Sequence, residues 1–433
     1  MSSAPESSSP PADQPPPPRR GVARSLGLGL ITGAADDDPS AIGTYAAAGA
    51  KLGPAFLWTA PAIFPMMFAV VYLSAKLGQV TGKGLFAVIR DHYSRRLLFV
   101  ALTGVLIGNT FEAAADLGGM AAALGLLVPW PFELLVTGIA VVILALQIWG
   151  SYDVIKSVFR LLALVLLAYV VAAVLARPDL GPVLRGTFVP TLRFDREFLS
   201  LLVAAIGTSL SAYIYTWQSN EEVEEEIAMG RRRLDDRIGA TREELRHSRR
   251  DILYGMVFSN LVMYFIMLST ASALFGAGRH GITTAADAAR ALEPVAGHAA
   301  GVLFALGIIG VGFLAVPVMT TGAAYDLAQS LGWRSGLGAK PARAARFYGA
   351  IVVVTAVAVA VNFIGLNPMR VLVWAGIVQG LSTPPLMLLI LLMTNDRRIV
   401  GNRVNGRAIN VLGWVTTIAI FSASAALVAS WIV

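Results

Sequence analysis

The segment ITGAADDDPSAIGTY, residues 31–45, sets Asp36, Asp37 and Asp38 side by side in front of Pro39, within otherwise apolar surroundings. Proline has no backbone N–H and its ring clashes with the preceding turn, so a helix through this segment breaks just before Pro39 and frees the carbonyls of residues 34 to 38. At membrane depth such backbone persists only where it lines a cavity or holds an ion. A carboxylate there costs a few kcal/mol, so three in a row ask for a cation or a water-filled vestibule. Asp38, directly before the proline, is placed to bind a cation with the loose carbonyls, and Asp37 stands beside it. For Asp36 and Asp37 the plainer alternative is a wet helix end paired with Lys or Arg.

A second set lies in GNTFEAAADLGGM, where Asn109, Glu112 and Asp116 fall at i, i+3 and i+7 on one helical face. Two acids four residues apart repel when both are charged. One is therefore protonated, or a cation or basic group lies between them; acids near a wet helix end are the alternative. A third set, IGTSLSAY at 206–213, offers oxygen from Thr208, Ser209, Ser211 and Tyr213. The chain has no Cys, and this stretch has neither Met nor His. Such hard donors suit Mg²⁺, Ca²⁺ or Mn²⁺ better than copper or zinc. Gln379 reads as a helix-to-helix hydrogen bond or a ligand. Asp326, towards one end of its apolar stretch, is expected to be solvated.

These residues need spans to carry them. With 56% hydrophobic and 14% charged residues in 433, the chain reads as a polytopic membrane protein. Eleven stretches reach the roughly 20 residues that cross a bilayer: about 25–50, 54–80, 97–127, 131–149, 153–176, 199–220, 251–276, 298–331, 344–364, 367–393 and 409–432. The Pro/Ser-rich residues 1–24 read as a disordered tail before an uncleaved first span. If the N-terminus is cytoplasmic, that side receives 26 of the 34 Lys and Arg, including Lys156 and Arg160 at the start of span 5. The positive-inside rule then sets the N-terminus in the cytoplasm and, after eleven spans, the C-terminus outside. Basic loops facing anionic lipid account for the net charge of +7 without nucleic acid. The charged segment 221–251 reads as a solvated connector, an extension of span 6 followed by a turn and a short helix.

Spans 1 and 6 carry polar interruptions at corresponding places. That is the sequence pointer to two inverted five-span repeats with a site between two broken helices.

The motifs DDDPSAIGTY, GTSLSAYIYTWQSNEEVEEE, AADAARALEPVAG and MTNDRRIVGNRVNGRAINVLGW resemble the NRAMP family of divalent metal transporters, and in particular its magnesium-transporter branch. The resemblance covers nearly everything after residue 25. It implies the LeuT-type fold: repeat one at about 25–176, repeat two at about 199–393 and an extra helix at 409–432, in a single transmembrane domain. It also implies metal held between the unwound centres of spans 1 and 6. The family's metal-binding Asp matches Asp38, and its backbone-carbonyl ligand matches Thr208. Its Asn ligand position holds Ala41, its Met position Ser211, the Pro-His that follows Ala212 and Tyr213, and a second His position Gln218. The acidic proton-path pair falls on Ala113 and Asp116. Loss of the thioether removes the softest ligand, and loss of the Asn enlarges the cavity, which suits Mg²⁺ that keeps its waters. Loss of both His and one acid weakens proton coupling.

The expectation is therefore an all-α inner-membrane importer of hydrated Mg²⁺ and Mn²⁺, not an enzyme, with metal as cargo and no cofactor. Asp38, Thr208, Ser211 and Asp37 would bind metal, and Glu112, Asp116, Asn109, Tyr213 and Gln379 would line the ion path. A proton-coupled Mn²⁺ transporter is the main alternative; an organic-solute carrier and a non-transporting receptor are remote ones.

Overall fold

The computed structural model describes residues 28–149, 166–336 and 341–432. The Pro/Ser-rich tail and the basic residues Lys156 and Arg160 lie outside the described residues. The first described helix is α1 (Leu28–Asp36), which stops where the sequence requires. Asp38 is extended (φ −64°, ψ 172°) and caps α2 (Pro39–Leu52), its carboxylate accepting from the Ala41 N–H at 2.6 Å. An Asp cap followed by proline at the first helical position is a strong helix start. The same dipeptide ends one helix and begins the next.

The path continues through α3 (Thr59–Thr81), the short α4 (Leu85–His92), α5 (Arg95–Leu124), α6 (Phe132–Trp149) and α7 (Leu167–Leu175). A surface helix, α8 (Leu180–Phe188), leads to α9 (Arg196–Ser209), which is interrupted at Leu210 and Ser211 before α10 (Ala212–Ala228). No proline causes this second interruption. The Ser211 hydroxyl instead faces the Gly207 and Thr208 carbonyls, both at 3.1 Å, and so meets backbone groups that the helix end leaves unbonded.

Beyond a turn and the short helix Leu234–Arg237 come α11 (Arg242–Thr270), α12 (Ala300–Leu331) and α13 (Ala345–Asn362). Last are α14 (Pro368–Ser382) and α15 (Pro384–Asn395), bent by 43° at Thr383, and α16 (Arg407–Ile432). The described residues contain helices and no strands. Among the described residues eight helices are long and apolar enough to cross a membrane, or up to nine if the bent pair counts as one. The first expected span is split into α1 and α2, each too short to count alone, and much of the fifth lies outside the described residues. In α6 and α16 only 28% and 33% of the apolar window is buried in the protein, so these helices need lipid against the rest.

Small residues bring the broken helices close to their neighbours. A Cβ on Gly29 or Gly33 of α1 would overlap the α11 backbone at Asp251 or Gly255. Gly207 of α9 likewise meets the backbone of Gly376 and Gly380 in α14. The charged stretch after Asn220 departs from the solvated connector expected: Glu221, Glu222 and Glu226 are buried. Glu222 accepts from Gln79 (2.6 Å), Gln218 (3.0 Å) and Ser248 (2.7 Å), because α10 runs on as a packed helix between α3 and α11.

Candidate metal centre

The interruption between α1 and α2 and that between α9 and α10 face each other, and α5 and α14 complete the surround. The Tyr213 hydroxyl of α10 faces the Ala35 carbonyl at 2.7 Å and Asp38 Oδ2 at 2.9 Å, so a freed carbonyl of α1 and the acid that caps α2 share one phenol hydrogen. Ser40 is the hub. Its backbone N–H donates to Asp116 Oδ1 at 2.9 Å, and its hydroxyl faces Asp38 Oδ1 (2.8 Å) and Glu112 Oε1 (3.2 Å). It also shares a hydrogen bond with the Thr208 hydroxyl at 3.1 Å. The Ser211 hydroxyl, which also faces the Gly207 and Thr208 carbonyls, has Glu112 Oε1 as its nearest acceptor, at 2.8 Å. Gln379 of α14 donates to Glu112 Oε2 (2.7 Å) and Asn109 Oδ1 (3.3 Å) and accepts from the Ala212 N–H at 3.4 Å.

Asp38, Thr208, Ser211, Glu112, Asp116, Asn109, Tyr213 and Gln379 thus belong to one network, although they come from four separate stretches of sequence. Gln379 makes the helix-to-helix bond expected of it. Asp37 turns the other way. Ser259 of α11 donates to Asp36 Oδ2 at 2.7 Å and faces Asp37 Oδ1 at 3.3 Å, a second small cluster behind the first. All five acids, Asp36, Asp37, Asp38, Glu112 and Asp116, have no solvent exposure. This removes the wet-helix-end alternative for both acidic stretches.

The network is rich in acceptors and poor in hydrogens. One hydroxyl hydrogen on Ser40, one on Ser211, one on Tyr213 and one on Ser259 each face two or more oxygens, and a hydroxyl can donate once. Asp36 Oδ1, Asp37 Oδ2 and Asp116 Oδ2 receive no hydrogen bond. Among the described residues no Lys, Arg or His forms an ion pair with any of the five acids. Nor, among these residues, do three His, Cys, Asp or Glu side chains gather closely enough to hold a metal ion by themselves. A cation at Asp38 would draw its remaining donors from hydroxyls, carbonyls and retained water, the ligand set of a hard ion.

Sequence reasoning gave Ser40 and Ser259 no role. Ser40 had a signal, a hydroxyl in the first turn of the helix that Asp38 caps. Ser259 had none, because only packing of α11 against the first break brings it to Asp36.

Asp326 is a correction. It was expected to be solvated, yet it has no exposed surface, because α12 packs this face against α10.

Interrupted apolar helices that meet over buried acids define a membrane-embedded carrier. A family profile described as "Natural resistance-associated macrophage protein-like" matches residues 29–430, and the chain belongs to that family, Nramp, whose members are transporters and not enzymes. It is 29% identical over 384 residues to the divalent metal cation transporter MntH of Klebsiella pneumoniae strain 342, covering 87% of each chain. Its fold is similar to that of the Eremococcus coleocola manganese transporter, with a TM-score of 0.70, 18% identity and coverage of 95% of this chain and 88% of that one. It is similar too to Mhp1, a nucleobase-cation-symport-1 family transporter, with a TM-score of 0.61 at 13% identity over 94% of this chain and 89% of that one.

Proposed function

We propose that this protein imports divalent cations across the inner membrane, hydrated Mg²⁺ foremost and Mn²⁺ as well, by alternating access and without obligatory proton coupling. The observation that carries this reading is the set of five fully buried acids with no basic ion-pair partner among the described residues and too few hydrogens to satisfy their oxygens. Buried carboxylates of that kind stay ionised only with a counter-charge beside them and otherwise take up protons; a divalent cation that comes and goes with the working cycle supplies that charge.

In this reading the chain has eleven spans in two inverted five-span repeats plus one, with the N-terminus in the cytoplasm. The pairs α1/α2 and α9/α10 are spans 1 and 6, broken at the bilayer midplane. Asp38 is the main ligand. The Thr208 carbonyl and Ser211 complement it, Asp37 adds negative potential, and Glu112, Asp116, Asn109, Tyr213 and Gln379 line the path. Serine where the family has methionine leaves an all-oxygen site. The metal is cargo and no cofactor takes part. The membrane potential supplies about 4.6 kcal/mol per 100 mV for a divalent charge, twice the single-charge value.

A second reading, proton-coupled Mn²⁺ transport, is favoured by the position of Glu112. It lies one hydroxyl from Asp38 through Ser40, where it could exchange a proton as metal binds.

Proteoliposomes holding a negative-inside potential decide between them, with Mg²⁺, Mn²⁺ and Ca²⁺ supplied in parallel and a pH dye inside. Mg²⁺ influx with a flat pH trace is expected, and Asp38→Ala should abolish it. Mn²⁺ influx with acidification and no Mg²⁺ influx favours the second reading. Full influx in Asp38→Ala removes Asp38 as the ligand.

A further inference from the structure

Asp326 is a buried acid that the central network does not use. It lies on α12 five residues before Leu331, about 8 Å from the helix end, with no exposed surface. Neither of its carboxylate oxygens receives a hydrogen bond among the described residues, and no Lys, Arg or His there forms an ion pair with it. The facing hydroxyl is that of Thr216 on α10, which directs its hydrogen to the Tyr213 carbonyl at 3.3 Å. Fully buried Tyr215 lies within electrostatic reach of Asp326. Its hydroxyl points towards Thr383 at the bend between α14 and α15, and neither of these two hydroxyl oxygens has a partner in hydrogen-bond geometry. The Thr216 hydroxyl of α10 thus faces a carboxylate of α12 that is out of contact with water and has no basic partner among the described residues.

The place connects to the central site along α10. Tyr213 holds Asp38 through its phenol, and its backbone carbonyl accepts from Thr216, the residue that faces Asp326. Thr216 is four residues into α10, about one helical turn beyond the interruption. On the proposed orientation, this turn lies on the cytoplasmic side of Asp38. A path with one tight site releases its ion slowly, whereas a second, weaker site ahead of it eases departure. An isolated carboxylate with neutral oxygens around it is such a weaker site for a hard cation.

We propose that Asp326, with the Thr216 hydroxyl and retained water, forms an inner station that a divalent cation occupies after leaving Asp38 on its way to the cytoplasm. The proposal rests on the import reading above. Its test separates the two, because each site is removed independently.

Mn²⁺ binding to the purified full chain is followed by loss of the free-ion electron paramagnetic resonance signal, in wild type, Asp38→Ala, Asp326→Asn and the double variant. Asp38→Ala is expected to lose the tight component and keep a weaker one, which the double variant loses. In vesicles, Asp326→Asn should slow maximal Mn²⁺ influx several-fold with little change in half-saturating concentration, since the outer-facing encounter with Asp38 is intact. Without metal its melting temperature should be no lower than that of wild type, because the substitution removes an uncompensated buried charge. Thr216→Val, which keeps the carboxylate and removes a donor, should weaken the same component. The proposal is overturned if weak binding persists in the double variant and Asp326→Asn transports at the wild-type rate. A fall in melting temperature with every binding component lost together would overturn it too, by marking Asp326 as structural. If Asp38→Ala binds like wild type, the central assignment fails, and Asp326→Asn alone still decides this one by whether it loses a component.

Discussion

Ser40 shows how much one side chain can organise. Its backbone N–H and hydroxyl reach Asp116, Asp38, Glu112 and Thr208, joining the first break to α5 and α9. The backbone bond survives a change to alanine; the hydroxyl contacts do not. Groups that orient a metal-binding carboxylate typically contribute 10- to 100-fold in affinity or activity. Ser40→Ala should therefore raise the half-saturating concentration for divalent influx by about that factor while the protein folds and purifies normally. An unchanged concentration dependence would mean that Ser40 is only packing. The residue also marks a limit of sequence reading. Asp38, Glu112 and Asp116 declare themselves as acids where acids are expensive, whereas a serine in a helix's first turn is ordinary until its neighbours are known.

At the scale of elements, the two interruptions reach similar geometry by different chemistry. Asp38 and Pro39 impose the first from within the sequence. The second has Ala212 where a proline would enforce a break, and depends on Ser211 and on the close fit of Gly207 against α14. The helix that leads into it, α9, begins at Asp195, whose carboxylate accepts from the Phe198 N–H at 3.0 Å. That bond, with the Arg193 guanidinium beside it, holds the Asp195 carboxyl below its usual value. A depressed carboxyl contributes stability above its unfolded value, near 3.9, and loses it as pH falls through the lower folded one. Removal of such a cap typically costs about 1 kcal/mol. Asp195→Ala should accordingly melt at lower temperature than wild type at pH 7, and the gap should close as the pH is lowered below about 4. A gap that is the same at pH 3 and pH 7 would show that the carboxylate is not the capping group.

For the molecule as a whole, charge distribution and number of crossings make one joint prediction. If the chain makes the eleven crossings proposed, with 26 of the 34 Lys and Arg on the side of the N-terminus, the two termini should lie on opposite faces, the C-terminus outside. Reporters that work on one side only, fused after Val433 and separately at the N-terminus, should give opposite signals. Like signals would mean an even number of crossings. The chain has no cysteine, so single cysteines placed in the loops can be labelled from either side without background.

Composition and pattern by themselves determined a helical membrane protein with acids at a proline break, because the cost of charge and free carbonyl groups in hydrocarbon makes such residues conspicuous one at a time. The oxygen character of the proposed site is an inference of the same kind: residue type alone decides whether a donor is hard or soft. The partners of those acids were not legible. Only tertiary structure put Ser40 between Asp38 and Glu112, sent Asp36 and Asp37 towards Ser259, and buried Asp326 against α10. Each depends on which helix faces which, and that is set by the summed close packing of small residues such as Gly33, Gly207 and Gly376 rather than by any local preference of the chain.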